Sequence, residues 1–270
     1  MSSLESAVSI LSCFSPEMPE LAVTEVAARL GMPKSTVSRL LMTMAEQRLV
    51  EQDAVSRRYR VGLLPFRLGQ LYYAHVQVVD LVDAEIETLV NETGFTGYAG
   101  VLNGSDIVIL RKKHGRYPVQ MVLDAGTRMG AATTAFGKAL LARLPDEELG
   151  TMLPGELVEG RGAARRPVAP LAEELALVRR QHWAIGDTAF PGMAAIGSAV
   201  GSSDNQQAVG FSLSFPDSAV NAATRQSIAR SVVAAARRVA TATADPIWAR
   251  HAAERPPAGS SSRQARAAVP

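Results

Sequence analysis

The spacing of apolar residues predicts three short helices and a hairpin at the start of the chain. Apolar side chains recur at helical intervals over residues 3–14, 24–31 and 33–47, which is typical of amphipathic helices. Two short segments, 49–50 and 59–61, flank a polar segment and are typical of paired strands. We therefore predict a winged helix-turn-helix, in which a hairpin follows three helices.

Three residues fit the tight crossing of two helices in such a motif. Ala27 is small where the second helix would pass over the first, and Gly31 permits a positive φ in the turn. Val37 is a branched apolar residue that would fill the interface. The exposed face of the third helix would then present polar and basic groups to phosphates and base edges. These candidate DNA contacts are Lys34, Ser35, Thr36, Ser38, Arg39 and Thr43.

Positive charge is local along this chain. The formal net charge is only +2, which excludes a uniformly basic nucleic-acid binder. Residues 33–60 nevertheless hold six basic and three acidic residues. Within them, Arg57, Arg58 and Arg60 either contact phosphates as a wing or are solvated hairpin charges. A second basic cluster, 111–116, is either a solvated hairpin end or a further contact for DNA or a partner.

Strands and further helices follow the hairpin. Asn103-Gly104 between two apolar runs is a strong signal for a tight turn. The expected helices cover about 65–79, 81–93, 134–144, 171–182 and 221–243. The expected strands cover 95–102, 106–112, 118–123, 194–200 and 207–215. The fold class is therefore α+β, with a mixed or antiparallel sheet flanked by helices in the second half.

These patterns divide the chain into four segments. A DNA-binding domain is expected over 1–62, a linker helix over 63–80 and a larger domain over 81–245. The final segment, 246–270, ends in a low-complexity stretch and is expected to be disordered.

A family resemblance accompanies this organisation. The string LAVTEVAARLGMPKSTVSRLLMTMAEQRLV, with RRYRVG after it, resembles the DNA-binding half of IclR-type transcriptional regulators. The strings GTRMGAATTAFGKALL, WAIGD and GFSLS extend the resemblance to about residues 4–242. It implies a GAF-like effector-binding domain and a palindrome-like operator in double-stranded DNA. It also implies a homo-dimer or a dimer of dimers, and repression of transcription.

An effector pocket is expected around the helix that begins near Thr134. The free N–H groups and the dipole of a helix N-terminus suit a carboxylate. Ser212 and Ser214 lie two apart on an expected strand and therefore share one face. The resemblance places the pocket among these same elements. The candidate effector-binding residues are Met129, Thr133, Thr134, Ala135, Phe136, Asp187, Ala195, Ser212 and Ser214.

Several of these residues also have a purely structural interpretation. Thr133 and Thr134 are suited to capping a helix, with no ligand involved. Ser212 and Ser214 fit an ordinary half-buried strand, and Asp187 fits a turn.

Phe136 narrows the class of effector. By the resemblance, relatives that bind small acids tend to have a small residue at this position, and often a cysteine where Ala195 stands. A phenyl ring would shrink the cavity or form an aromatic wall. We therefore expect a flatter or more apolar organic acid or aromatic metabolite instead of the smallest keto acids. A pocket that Phe136 closes, in a DNA-binding protein without an effector, stays an alternative.

Catalytic, metal and cofactor chemistry finds no support in the sequence. Gly137-Lys138 lacks the spacing of a phosphate-binding loop, and Ala139 replaces its Ser or Thr. The four histidines are scattered, and there is no GxSxG nucleophile elbow. We expect no catalytic residue, metal or cofactor. A hydrolase-like enzyme that carries a DNA-binding appendage stays open as an alternative.

The sequence also favours a cytoplasmic protein with no membrane partner. Its single cysteine cannot form an intrachain disulfide, which fits a reducing compartment. No apolar run reaches membrane-spanning length, and the first residues lack the basic start of a secretion signal.

Overall fold

The computed structural model divides the chain into two units, with the boundary between Gln77 and Val78. It describes residues 2–254 except 16, 76, 118–122, 154–155, 160–163, 168, 188–190 and 204–207. The helices are α1 (Ser3–Leu11), α2 (Val23–Leu30), α3 (Lys34–Glu46), α4 (Leu63–His75), α5 (Gln77–Thr93), α6 (Ala135–Leu141), α7 (Asp146–Met152), α8 (Ala169–Gln181), α9 (Ala222–Ala242) and α10 (Pro246–Glu254). The strands are β1 (Glu20–Leu21), β2 (Val50–Gln52), β3 (Tyr59–Val61), β4 (Thr96–Asn103), β5 (Asp106–Lys113), β6 (Arg128–Gly130), β7 (Glu156–Glu159), β8 (Ala164–Pro167), β9 (Ala184–Asp187), β10 (Met193–Val200) and β11 (Val209–Pro216). Among the described residues, no helix is both long enough and apolar enough to cross a membrane.

Local sequence signals set the ends of the first helices. The Ser2 hydroxyl accepts a hydrogen bond from the Glu5 N–H, and the Glu5 carboxylate accepts one from the Ser2 N–H, so α1 starts in a capping box. Gly31 ends α2 at a φ of +63°, which glycine adopts without a steric clash. Pro33 directly precedes α3, which begins one residue later than expected, at Lys34.

The N-terminal unit packs α1, α2 and α3 around one core. Val26, Val37 and Leu41 are fully buried in it, and Ala27 lies beside them. Among the described residues, β1, β3 and β2 form an antiparallel sheet in that order. The winged helix-turn-helix is therefore confirmed. The two-residue β1 was not predicted, because so short a strand leaves no alternation in the sequence.

The C-terminal unit is built on an antiparallel sheet whose described strands run in the order β6-β5-β4-β11-β10-β9. Helix α6 lies on one face, since a Cβ added at Gly197 in β10 would come within 2.7 Å of the Phe136 nitrogen. Helix α5 lies on the other face, since a Cβ at Gly97 in β4 would come within 2.2 Å of Ile86. The expected α+β architecture, a sheet flanked by helices, is confirmed.

Some elements differ from the expectation. The linker helix was expected to end near residue 80, but α4 ends at His75 and α5 begins at Gln77. The strand expected over 118–123 lies outside the described residues except for Leu123, which is in no strand. Strands β6 and β9 and helix α7 are too short to show a periodicity and were not predicted.

Helix α10 corrects the expected disordered tail. The prediction of disorder over 246–270 is wrong for Pro246–Glu254, which form this helix. Trp248 is buried, and its indole N–H donates a hydrogen bond to the Ala199 carbonyl at 3.1 Å. An aromatic side chain with its polar atom satisfied anchors the helix to β10. The rest of the predicted tail, 255–270, lies outside the described residues.

Candidate DNA interface and effector site

Helix α3 presents a polar, positively charged face to solvent. Val37, Leu41 and Met44 are buried on its opposite side. Lys34 and Arg39 are exposed, and neither forms an ion pair with another described residue. Their charges are therefore available to an anionic partner.

Hydroxyl groups accompany these charges on α3. Ser35 and Thr43 are exposed, whereas Thr36 and Ser38 are half-buried. The Thr43 hydroxyl donates to the Arg39 carbonyl at 3.1 Å, so it turns back onto its own helix. Its oxygen still has a lone pair for an external donor.

The turn between β2 and β3 is held by Asp53. Its carboxylate accepts hydrogen bonds from the N–H groups of Ser56 and Val55, at 2.7 and 3.1 Å. These bonds, above all those from Ser56, hold the pKa of Asp53 below its usual range. Arg57 follows at a φ of +58°, and its exposed side chain makes no ion pair with a described residue. The wing, which we define as residues 50–61, thus presents Arg57 from a fixed turn.

Arg58 lies differently from the expected phosphate contact. Its guanidinium donates to the Glu20 carbonyl at 3.0 Å and to both Glu25 carboxylate oxygens at 2.7 and 3.0 Å. The Glu25 carboxylate also accepts a hydrogen bond from the Ala22 N–H at the start of α2. Arg58 therefore ties the wing to the first turn of α2.

Arg60 and Arg48 are the other cations near the wing. Arg60 pairs with Glu51 across the two strands at 3.1 Å, and its side chain stays more than half exposed. Arg48 is exposed between α3 and β2 at a φ of +58°, and it is not among the DNA contacts that the sequence predicts. No pattern in the sequence marked it, because a single arginine after a helix is common on protein surfaces.

Cross-strand pairs bring several expected effector residues together. Ala195 pairs with Ser214, and Gly197 pairs with Ser212, between β10 and β11. Paired residues of antiparallel strands point to the same face. Because Gly197 lies beneath the first turn of α6, all four residues belong to the face that α6 covers. The prediction that Ser212 and Ser214 share a face is confirmed.

The two threonines before α6 form local hydrogen bonds. The Thr133 hydroxyl donates to the Gly130 carbonyl at 3.0 Å, and the Thr134 hydroxyl donates to the Ala131 carbonyl at 3.4 Å. Thr134 is the residue before α6, but its side chain makes no capping hydrogen bond. Both hydroxyls therefore close the turn that leads into α6.

The first turn of α6 touches the backbone of the sheet. A Cβ added at Gly186 would lie 2.3 Å from the Ala135 nitrogen, just as one at Gly197 would crowd the Phe136 nitrogen. Glycine at both positions lets helix and strands approach this closely. A ligand carboxylate placed between this turn and the two strands must therefore displace the helix.

The phenyl ring of Phe136 fills the space above two more glycines. A Cβ at Gly100 would lie 3.2 Å from the ring, and one at Gly210 would lie 2.7 Å from it. Phe136 is only 3% exposed and belongs to the core between the sheet and α6. The ring is thus packed as a core side chain.

Met129 and Asp187 lie on the two outer strands of the described sheet. Met129, in β6, pairs with Ile107 and packs against the core that contains Phe136. Asp187, in β9, pairs with Ala194, the neighbour of Ala195, so its register position belongs to the face opposite α6. Four strands lie between them, so these two expected effector residues are at opposite edges of the sheet.

Two family models match the chain. The IclR helix-turn-helix domain matches residues 3–54. The C-terminal domain of the bacterial transcriptional regulator IclR matches residues 70–241, which is more than half of the chain. The chain belongs to the IclR family. It is therefore a DNA-binding transcriptional regulator of the helix-turn-helix type.

Curated relatives agree with membership of the IclR family. The chain is 29% identical to the regulator BhcR of Paracoccus denitrificans over 221 residues, 81% of this chain and 79% of that protein. It is 27% identical to the transcriptional repressor IclR of Escherichia coli over 189 residues, 68% of this chain and 69% of that protein. Both are named as transcriptional regulators, which is consistent with a protein that is not an enzyme.

Solved structures share the fold. An IclR transcriptional regulator from Silicibacter sp. TM1040 aligns with a TM-score of 0.76 at 22% identity, over 90% of this chain and 96% of that one. An IclR homolog from Microbacterium hydrocarbonoxydans, in complex with 4-hydroxybenzoate, aligns with a TM-score of 0.68 at 19% identity, over 89% of this chain and 100% of that one. At these identities the likeness concerns the fold alone.

Proposed function

We propose that this IclR-family protein is a ligand-responsive repressor that binds a palindrome-like operator as a dimer or a dimer of dimers. The observation that carries the proposal is α3 itself. Its apolar side is buried, while Lys34 and Arg39 project into solvent without an ion-pair partner among the described residues. Such a helix suits a major groove, where arginine pairs with guanine and lysine with phosphate.

The DNA contacts we propose lie on α3 and the wing. Arg57 and Arg60 are exposed and suit phosphates beside the groove. For Arg58 we propose a bracing role instead of the expected phosphate contact, because its guanidinium already serves Glu20 and Glu25. The α3 contacts in this proposal are Lys34, Ser35, Thr36, Ser38, Arg39 and Thr43.

Exposed apolar side chains in the N-terminal unit support the dimer. Leu4 and Val8 of α1, and Phe66 and Leu71 of α4, are all more than half exposed. Apolar side chains one helical turn apart on an exposed helix face, as Leu4 and Val8 are on α1, suit a protein–protein contact. We infer that a second copy covers them. Two recognition helices would then reach successive major grooves, about 34 Å apart.

For the effector we propose an organic acid or aromatic metabolite bound on the α6 side of the sheet. The ring of Phe136 forms an aromatic wall on this side, which suits a flat or apolar ligand better than the smallest keto acids. The complex of the Microbacterium hydrocarbonoxydans homolog with 4-hydroxybenzoate supports an aromatic acid. Effector binding would change operator affinity only if the ligand binds one arrangement of the dimer better than another. The residues proposed to line this site are Met129, Thr133, Thr134, Ala135, Phe136, Ala195, Ser212 and Ser214. Asp187 is proposed only at the rim, because its register position at the end of β9 belongs to the other face.

A DNA-binding regulator without an effector is the second candidate. The burial of Phe136 over Gly100 and Gly210 favours it, because the ring occupies the space a ligand would use. A thermal-shift screen of metabolites separates the two candidates, since a ligand that binds the native state raises the melting temperature.

Selection of genomic DNA fragments by the purified full-length protein tests the operator proposal. We expect one palindrome-like sequence to be enriched and its affinity to fall steeply with salt, because lysine and arginine displace counterions from phosphates. Adding metabolites that raise the melting temperature should then change that affinity. Enrichment no greater than for random DNA would refute the proposal, and unchanged affinity with a bound metabolite would refute its ligand-responsive part.

A further inference from the structure

A row of paired residues crosses the sheet beneath α6 and ends at a lysine. Gly197 pairs with Ser212, Ser212 with Tyr98, and Tyr98 with Lys112, from β10 through β11 and β4 to β5. Residues paired in this way point to the same face. Lys112 therefore belongs to the same face of the sheet as the proposed effector residues, although the sequence placed it only in a basic cluster.

The partner of Lys112 is a carboxylate at the rim of this face. The ammonium group lies 2.5 Å from an Asp124 carboxylate oxygen, and the two side chains are 16% and 51% exposed. Asp124 precedes a turn that is fastened to β5, because the Gly126 N–H donates to the Ile109 carbonyl at 2.8 Å. The lysine is therefore largely desolvated, while the carboxylate that neutralises it faces water.

The next residue, Lys113, has a different environment on the opposite face. Its ammonium pairs with Asp83 and Glu87 of α5, at 3.2 and 3.1 Å. Hydrogen bonds from Lys113 to Glu87 and Asp83 raise its pKa. Two carboxylates from one helix make Lys113 a tie between α5 and the sheet. Adjacent lysines thus provide a matched comparison within one strand.

Lys138, in α6 itself, is a second lysine on this side of the sheet. Its side chain is almost fully buried and pairs with Glu174 of α8 at 2.7 Å. This pair joins two helices that pack together. Lys112 is the more accessible of the two, because its partner lies at an exposed turn.

We propose that Lys112 binds the carboxylate of the effector and that Asp124 is an internal competitor, which occupies the lysine when no ligand is bound. This inference rests on the proposed function, since it assigns a residue to the same ligand site. The exchange replaces one carboxylate by another, so the desolvated ammonium is never left without a counter-charge. Asp124 is hydrated when it is displaced, so losing its ion pair with Lys112 costs little free energy.

Neighbouring groups fit the body of such a ligand. Tyr98 and Ser212 follow Lys112 along the row and supply a phenol and a hydroxyl beside the Phe136 core. A hydrogen bond joins Tyr98 to the Leu123 backbone, next to Asp124. A flat monocarboxylate with a polar group at its far end matches an ammonium followed by these hydroxyls.

Isothermal titration of the full-length protein tests this assignment. The probes are a panel of aromatic and short aliphatic monocarboxylates that includes 4-hydroxybenzoate, with 4-hydroxybenzamide as a neutral control. We expect acids to bind and the amide to bind about ten-fold or more weakly, since charged hydrogen bonds are the strong ones. Lys112→Gln should lose about ten-fold or more in acid affinity, and Lys112→Arg should retain most of it. Asp124→Asn should bind several-fold more tightly than the wild type.

Lys113→Gln is the matched control, and we expect its acid affinity to stay within about two-fold of the wild type. Equal losses in Lys112→Gln and Lys113→Gln would overturn the proposal, as would equal binding of acid and amide. Weaker binding by Asp124→Asn would overturn the role of the competitor. If the protein selects an operator but binds no acid of the panel, this inference fails while the DNA-binding regulator stands. If it binds acids through Lys112 but selects no operator, this inference stands while the operator proposal fails.

Discussion

Arg143 and Asp245 form a two-point ion pair inside the C-terminal unit, with nitrogen–oxygen distances of 2.9 and 3.1 Å. The Asp245 side chain is 0% exposed and that of Arg143 is 10% exposed. One Asp245 oxygen also accepts the Gly201 N–H at 2.6 Å. Because Arg143 follows α6 and Asp245 precedes α10, the pair fastens the end of α6 to the start of α10.

Asp245→Asn should destabilise the C-terminal unit strongly. The substitution leaves the Arg143 guanidinium buried without a counter-charge, which costs about 3–5 kcal/mol. Urea denaturation followed by tryptophan fluorescence measures the change. Arg128→Ala is the control, because it breaks the exposed pair with Asp106 and should change the free energy of unfolding by less than about 1 kcal/mol. Similar changes for the two variants would contradict the structural role of the buried pair.

Arg39→Ala and Lys34→Ala should weaken operator binding in different ways. Arg39 lies one turn into α3 and is expected to read a base, so its loss should cost about 1–3 kcal/mol and relax specificity at one position. Lys34, at the start of α3, is expected to contact phosphate. Its loss should weaken all sequences alike and reduce the salt slope by about one. Fluorescence anisotropy with a set of single-base operator variants distinguishes these outcomes, and a uniform loss for Arg39→Ala would reassign Arg39 to the backbone.

The stability of the N-terminal unit should fall in acid through Glu25. Hydrogen bonds from the Ala22 backbone and from Arg58 lower the pKa of Glu25 below its usual value. A lowered pKa in the folded state stabilises the fold above the unfolded pKa, and this contribution disappears as the pH falls through the folded value. Thermal melting should therefore show a drop below about pH 4.3, the ordinary glutamate pKa.

Two variants test whether Glu25 causes that drop. Glu25→Gln should flatten this part of the pH dependence, because the amide does not titrate. Arg58→Ala keeps the Ala22 hydrogen bond and should flatten it less. An acid-induced drop of the same size in Glu25→Gln would assign the effect to other carboxylates.

Phe136→Ala should open a cavity above Gly100 and Gly210. Removing a buried phenyl ring costs about 3–5 kcal/mol, because the surroundings only partly fill the space. The same cavity should admit small aromatic molecules, which would partly restore the melting temperature. Phe136→Leu is the control and should lose less stability and admit less ligand. A melting temperature of the wild-type level in Phe136→Ala would mean that the ring is not part of the core.

The parts of this protein that local patterns encode could be predicted from the sequence. Ala27, Gly31 and Val37 lie within one supersecondary unit, so their spacing alone indicates the helix-turn-helix. The sequence predicts Arg58 as a phosphate contact and not as a partner of Glu25, because the two residues are 33 apart and no local pattern links them. The burial of the Phe136 ring could not be predicted in the same way. It depends on Gly100 in β4 and Gly210 in β11, which only the register of the sheet brings under α6.

Long-range contacts also explain the error at the C-terminus. The stretch around Trp248 has only two large apolar residues, Ile247 and Trp248, and precedes a low-complexity tail, so composition favours disorder. The indole is ordered because it bonds to Ala199, 49 residues earlier. A single anchor of this kind leaves no periodic signal.

The location of Asp245 determines where another protein can be attached. The IclR C-terminal family model ends at residue 241, so a fusion made at that boundary would separate Asp245 and Trp248 from the domain they stabilise. A reporter joined after Glu254 would leave both anchors in place. A fusion intended to keep the C-terminal unit folded should therefore be joined after Glu254.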